Sequence, residues 1–157
     1  MKRSILVIGL IAACAGAAFA ATGFASSSPS AVAGCTPGVH KIGGVSARTF
    51  CGPAKATVRL GTKTVAYKNG ECSTSIGLFS VNIGTVVLGN LKSKPEYLGV
   101  TAKAKAGVQA QQTVAVVHGG KSRGLIGTVT LKAGLKSGTF SGKVFGSSTK
   151  ITGSFTC

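Results

Sequence analysis

Catalysis in this chain would have to be assembled from very few groups. The 157 residues contain two acidic side chains, Glu71 and Glu96, two histidines, His40 and His118, and no aspartate. A serine–histidine–carboxylate triad would need one of the two glutamates as its third member. Hydrolysis by paired carboxylates would need both to converge on one bond. Glu71 stands between Gly70 and Cys72, where an exposed turn residue is the simpler reading, and Glu96 follows Pro95 with Lys92 and Lys94 as its nearest partners. His118 closes an alternating stretch before Gly119-Gly120, and His40 stands beside Lys41. A lone histidine at a strand end is chiefly solvated surface. Gly-x-Gly pieces fall only in turns, without the strand-to-helix context that makes a phosphate loop. The inventory predicts no enzyme and no cofactor.

The cysteines carry more information. There are five, and one, Cys14, lies in an apolar leader. The remaining four, Cys35, Cys51, Cys72 and Cys157, are an even set in a chain that reads as exported, which implies two disulfides with three possible connectivities. Zinc is the competing use, but no two of these cysteines have Cys-x-x-Cys spacing and the histidines stand alone, so no metal site is expected. A cysteine–histidine nucleophile would require one of the four to stay reduced.

The leader reads in three parts. Met1-Lys2-Arg3 is a positive start, Ser4 to Ala13 an apolar run, and Ala18-Phe19-Ala20 the small-x-small form that signal peptidases accept. Residues 1–20 are therefore expected to be a signal peptide. A membrane-spanning helix of roughly 20 apolar residues would be reached only by counting many alanines and glycines. Ile11-Ala12-Ala13-Cys14 also has the form of a bacterial lipobox, in which the Cys14 thiol takes a diacylglyceryl group and cleavage falls just before it. The apolar run before Cys14 is short and the residues after it stay apolar, so Cys14 is either a candidate lipidation site or a small hydrophobe removed with the leader. Residues 21–34 are small and polar and read as a flexible stalk. A basic β domain over 35–157 follows.

Lysine and arginine number 18 against two glutamates, a net charge of +16. Loss of Lys2 and Arg3 with the leader leaves +14, a field that attracts polyanions and keeps copies of the chain apart, so a monomer is expected. The cations are spread along the domain, with local pairs at Lys92/Lys94 and Lys103/Lys105. These four are the candidate polyanion contacts. Little aromatic interleaving accompanies them, which argues against base stacking and specific nucleic-acid binding. The competing reading is that the lysines are solubility charges on the solvent faces of strands.

Period-two alternation dominates the domain and positions those groups. Residues 56–60 and 63–68 read as strands around the hairpin pair Gly61-Thr62, and Asn69-Gly70 reads as the next turn. Further strands are expected at 78–83 and 85–88 around Gly84, and at 97–102, 112–118, 124–132, 139–145 and 150–157. Residues 101–111 alternate alanine or valine with polar partners and read as an edge strand guarded by Lys103 and Lys105. About eight strands with turn signals roughly every ten residues predict an all-β, antiparallel sandwich or closed barrel, disulfide-bonded. Trp is absent and Gly numbers 24, so the core must be built from Val, Ile, Leu, Ala and a few Phe, closely spaced.

The basic leader with a cysteine after small residues and the Ser/Ala stalk form one half of a pattern. Tyr67-Lys68-Asn69-Gly70-Glu71-Cys72, Phe79-Ser80-Val81-Asn82-Ile83-Gly84 and the closing Lys150-Ile151-Thr152-Gly153-Ser154-Phe155-Thr156-Cys157 form the other. Together they resemble small secreted or lipid-anchored envelope proteins of actinobacteria, the mycobacterial lipoprotein antigens among them. In that group a late cysteine pairs with an earlier one on a strand, which here implies Cys51–Cys157 and leaves Cys35–Cys72. The chain departs from the group in its high positive charge, its extra cysteine pair and its early lipobox. The resemblance implies a non-enzymatic surface protein and supplies no catalytic residues.

The sequence thus leads to an exported protein, extracellular or on the outer face of the membrane or cell wall. Its partners would be anionic wall polymers or lipid headgroups, and it would meet the membrane itself only through a lipid on Cys14. The alternative is a secreted protein-binding module, such as a protease inhibitor with a loop held by a disulfide.

Overall fold

The computed structural model describes residues 34–157. The predicted leader, Cys14 and the stalk before Gly34 lie outside the described residues. Ten antiparallel strands follow one another: β1 (Gly38–Ile42), β2 (Val45–Phe50), β3 (Ala54–Leu60), β4 (Lys63–Ser75), β5 (Leu78–Val87), β6 (Tyr97–Lys103), β7 (Gly107–His118), β8 (Lys121–Leu131), β9 (Ser137–Val144) and β10 (Lys150–Thr156). A single 3-10 turn, Ala133–Leu135, joins β8 to β9. From β3 to β10 every strand pairs with its sequence neighbour, and β10 returns to pair with β3, Ile151 opposite Leu60 and Thr156 opposite Lys55. The result is a closed, eight-stranded up-and-down barrel. Of the two architectures that the alternation allowed, the barrel is the one formed.

The alternation explains the barrel's two faces. On β3, Ala54, Ala56 and Val58 are buried while Lys55, Thr57 and Arg59 are exposed. The same period carries Phe79, Val81 and Ile83 from β5, Leu98, Val100 and Ala102 from β6, and Val129 and Leu131 from β8 into one core. Two phenylalanines fit this narrow interior because glycines face them: Phe155 pairs with Gly138 and Phe140 with Gly153. A methyl added to either glycine would strike the opposite ring, at 2.6 and 2.4 Å. Phe79 stacks on Phe155 with centroids 5.9 Å apart. The interior is thus filled by side chains, one of the two outcomes open to a barrel of this strand number. The outward positions are mostly polar, as with Lys55, Thr57 and Arg59 on β3 and Lys150 and Ser154 on β10, with Val108 and Ile126 exposed among them.

β1 and β2 form a hairpin appended to the barrel, with Phe50 opposite Gly84 and Ala47 opposite Val87 of β5. The strand pattern of the sequence does not announce this hairpin. Its strands are short and β1 is exposed almost throughout, so no apolar alternation announces it. Gly84 sits between Phe50 and Tyr97 with φ of 92°, and a Cβ there would lie 2.2 Å from the Glu96 carbonyl oxygen. Phe50 and Tyr97, the residues on either side of Gly84, bring their rings within 6.1 Å of each other.

Three local expectations are corrected. Asn69-Gly70 does not turn the chain; β4 runs through it as a β-bulge, Asn69 taking φ of 63° while the pairing of β3 with β4 slips between Ala54 and Ala56. Gly84 does not divide two strands, because β5 is continuous through it and serves β4 and β6 on its first half and β2 on its second. Residues 101–111 are not an edge strand. They contain the end of β6, the turn and the start of β7, with a bulge at Gln111 (φ 56°). A closed barrel has no edge to guard there.

The disulfides are Cys35–Cys51 and Cys72–Cys157, with Cα separations of 5.9 and 5.6 Å. This overturns the expected Cys51–Cys157 and Cys35–Cys72. Thr156 pairs with Lys55 and Gly70 with Ala54, so Cys157 and Cys72 converge against the core at the end of the barrel where β3 begins. Cys51 is held away from them at the close of β2, within reach of the incoming chain at Cys35.

Candidate functional site

Strand alternation places most of the cations outward, half-buried Arg123 on the Leu125 face of β8 excepted, and the partners they have are neutral: Lys41 donates to Ser46 Oγ, Arg59 to the Gly61 carbonyl, and Arg48 lies over the Phe50 ring. Lys55 and Arg59 on β3, Lys63 and Lys68 on β4, Lys143 on β9 and Lys150 on β10 are all exposed. Among the described residues the one ion pair is Glu96 with His118, Oε2 to Nδ1 at 3.0 Å. The other carboxylate oxygen of Glu96 accepts the Gly119 N–H at 2.9 Å. Glu96 was expected to pair with Lys92 or Lys94. The pairing of Tyr97 with Val117 and the bridge between Lys94 and Gly120 instead deliver Glu96 to the β7–β8 turn. There it fastens the turn, and among the described residues no hydroxyl nucleophile bonds to His118.

Glu71 is likewise not a turn residue. It lies half-buried in β4, opposite Asn82, whose other neighbour is Gly99 of β6. Glu96 precedes β6 by one residue, so β5 and the offset along β6 keep the two carboxylates from facing a common bond. Tyr67 is the buried polar group of the interior. Its hydroxyl donates to the Val117 carbonyl at 3.0 Å, and burial first, then the nearby Glu96 carboxylate, push its ionisation well above the ordinary tyrosine value of 10.0, with Arg123 opposing. Burial also raises Tyr97, whose hydroxyl lies 2.6 Å from Asn82 Oδ1.

The four lysines singled out from sequence do not form one site. Lys92 and Lys94 precede β6 and Lys103 ends it, so the two pairs lie at opposite ends of the barrel, about 20 Å apart along a seven-residue strand. At the Lys103/Lys105 end, Lys132 and Lys136 join from the β8–β9 connection, which the pairing of Gly107 with Leu131 brings alongside. The side chain of Gln109 holds this turn's backbone: its Oε1 accepts the Lys103 N–H at 2.8 Å, and its Nε2 donates to the Lys103 and Lys105 carbonyls at 3.0 and 2.6 Å.

A second feature escaped sequence reading. The strand registers align Thr57, Ser154, Thr139 and Thr130 in one row across the outer wall, and Thr64, Arg59, Thr152, Ser141 and Thr128 in the next. A shallow concavity of about 600 Å³ lies over the β4, β3, β10 and β9 part of these rows, with Arg59 and Lys150 in its lining. A smaller cavity of about 290 Å³ opens between β3, β4 and β10, lined by Lys55, Thr57, Lys68, Ser154 and Thr156 over Tyr67 and Phe155. Hydroxyls in rows beside cations can donate to anionic or polyhydroxylated groups. The alternation of Lys150, Thr152, Ser154 and Thr156 is visible in the sequence, but the alignment of five strands is not. No protein-family model, curated protein or solved structure matches the chain.

Proposed function

We propose that this protein is a non-enzymatic, exported barrel, envelope-associated or secreted, that contacts anionic wall polymers or lipid headgroups through its basic surface. One observation carries the reading: among the described residues no lysine or arginine is engaged by a carboxylate, and the only ion pair joins Glu96 to His118. Charges that stabilised the fold would be expected to pair; most of these face solvent, and their summed field attracts polyanions. The two disulfides are compatible with an oxidising compartment outside the cytosol. Retention of the mature protein on isolated cell walls should fall steeply between about 50 and 500 mM salt, because screening at 1 M reaches roughly 3 Å. Retention that ignores salt, or no retention, sinks the reading. Intact mass of the mature protein separates removal of Cys14 from its lipidation.

A further inference from the structure

One residue breaks two rules at once. Ile76, first of the two residues turning β4 into β5, has φ of 50° and is 99% exposed. Two-residue hairpin turns with positive φ favour Asn or Gly at this position, since a β-branched side chain in the left-handed region costs roughly 1–2 kcal/mol. Nothing among the described residues repays that cost, because Ile76 packs on none of them. Leu78, the next residue but one, is half exposed. Exposure alone would mean little, since Leu88 and Phe145 are exposed as well; it is the exposure of a residue in a strained backbone that points to contact with a partner.

The surroundings identify the partner's chemistry. Leu78 pairs with Lys103, and the Ala104 N–H donates to the Gly77 carbonyl at 2.8 Å, so the Ile76 tip is joined to the Lys103–Lys105 turn. Lys132 and Lys136 stand on the next connection around the same end. Neither glutamate is there: Glu96 lies at the opposite end, and Glu71 sits about 17 Å up β4 from Ile76. An apolar tip beside unopposed cations fits an interface that is apolar just beneath an anionic layer. A soluble polyanion offers the second feature without the first.

We propose that this end of the barrel docks on an anionic phospholipid bilayer, with Ile76 and Leu78 entering the interface and Lys103, Lys105, Lys132 and Lys136 meeting the headgroups. This deepens the reading above and rests on it. The Gln109 clamp keeps the turn preformed, so little ordering is left for binding to impose. The β4–β5 and β6–β7 hairpins form the leading edge.

Trp is absent from the chain, so Leu78→Trp supplies its one tryptophan, excited apart from Tyr67 and Tyr97, at a strand position that accepts an aromatic. With phosphatidylcholine vesicles containing one-third phosphatidylglycerol its emission should shift to the blue and be quenched by lipid-borne quenchers; with soluble polyphosphate it should not shift. Ile76→Asn suits the left-handed turn and leaves the fold intact, yet should weaken vesicle binding roughly tenfold or more while leaving cell-wall retention unchanged. Lys103→Gln/Lys105→Gln should weaken vesicle binding, and Lys92→Gln/Lys94→Gln should not. Unaltered vesicle binding by Ile76→Asn, equal loss from the lysine pair at the far end, or no emission shift overturns the docking proposal. Loss of salt-sensitive retention on every polyanion, by contrast, overturns the function on which it rests.

Discussion

Tyr67 shows how a single polar atom is kept inside an apolar barrel. Its hydroxyl reaches across to the Val117 carbonyl, fifty positions away, and stays neutral because burial opposes the phenolate. Tyr67→Phe should therefore lower the unfolding free energy by about 1–2 kcal/mol, read as a lower denaturant midpoint at unchanged slope. The sign with pH follows from linkage. The folded-state pKa is raised, so above pH 10 the unfolded chain releases the proton first and stability falls as pH rises. That fall should be smaller in Tyr67→Phe. Gly84→Ala tests a different constraint, the 2.2 Å approach of a Cβ to the Glu96 carbonyl oxygen at φ of 92°. It should destabilise by about 2 kcal/mol or more and loosen the Glu96–His118 clamp.

At the scale of elements, the two disulfides do different work. Cys72–Cys157 ties β4 to the end of β10, closing 85 residues and securing the seam at which the barrel must shut. Cys35–Cys51 closes 16 residues and holds only the appended hairpin. The chain-entropy model credits such loops with about 4–5 and about 3 kcal/mol. Cys72→Ser/Cys157→Ser should lower the global denaturation midpoint. Cys35→Ser/Cys51→Ser should chiefly raise amide exchange in β1 and β2 while β6 to β9 stay protected. Equal global losses from both pairs would show that the hairpin is an integral part of the barrel's cooperative unit.

At the scale of the whole molecule, one face property governs behaviour: a filled apolar interior inside a cationic wall. Among the described residues the cations have no carboxylate partners and repel one another, so the folded state carries an electrostatic cost that counterions relieve. The thermal midpoint should rise as salt increases from about 10 to about 150 mM, over which the Debye length shortens to roughly 8 Å. A soluble polyanion should raise it at lower concentrations than simple salt, since binding to the native state stabilises it. A midpoint indifferent to both would mean that the charges are too far apart to matter.

The all-β class, the strand faces, the closing hairpins, the scarcity of carboxylates and the use of four cysteines in two bridges are all legible in the order of residues. Each follows from local facts: the two-residue period of a strand, the turn chemistry of glycine, and counts. Only the tertiary structure decided that the sheet closes as a barrel and that Asn69-Gly70 and Gln111 are bulges rather than turn and edge. It also decided which cysteines meet, that Glu96 finds His118, and that Lys92/Lys94 and Lys103/Lys105 stand at opposite ends. These depend on register and shear around the closed sheet, in which the offset of each strand pair adds to the next. No local spacing encodes that sum. The same accumulation lines up the hydroxyl rows and sets Ile76 beside Lys103 and Lys105.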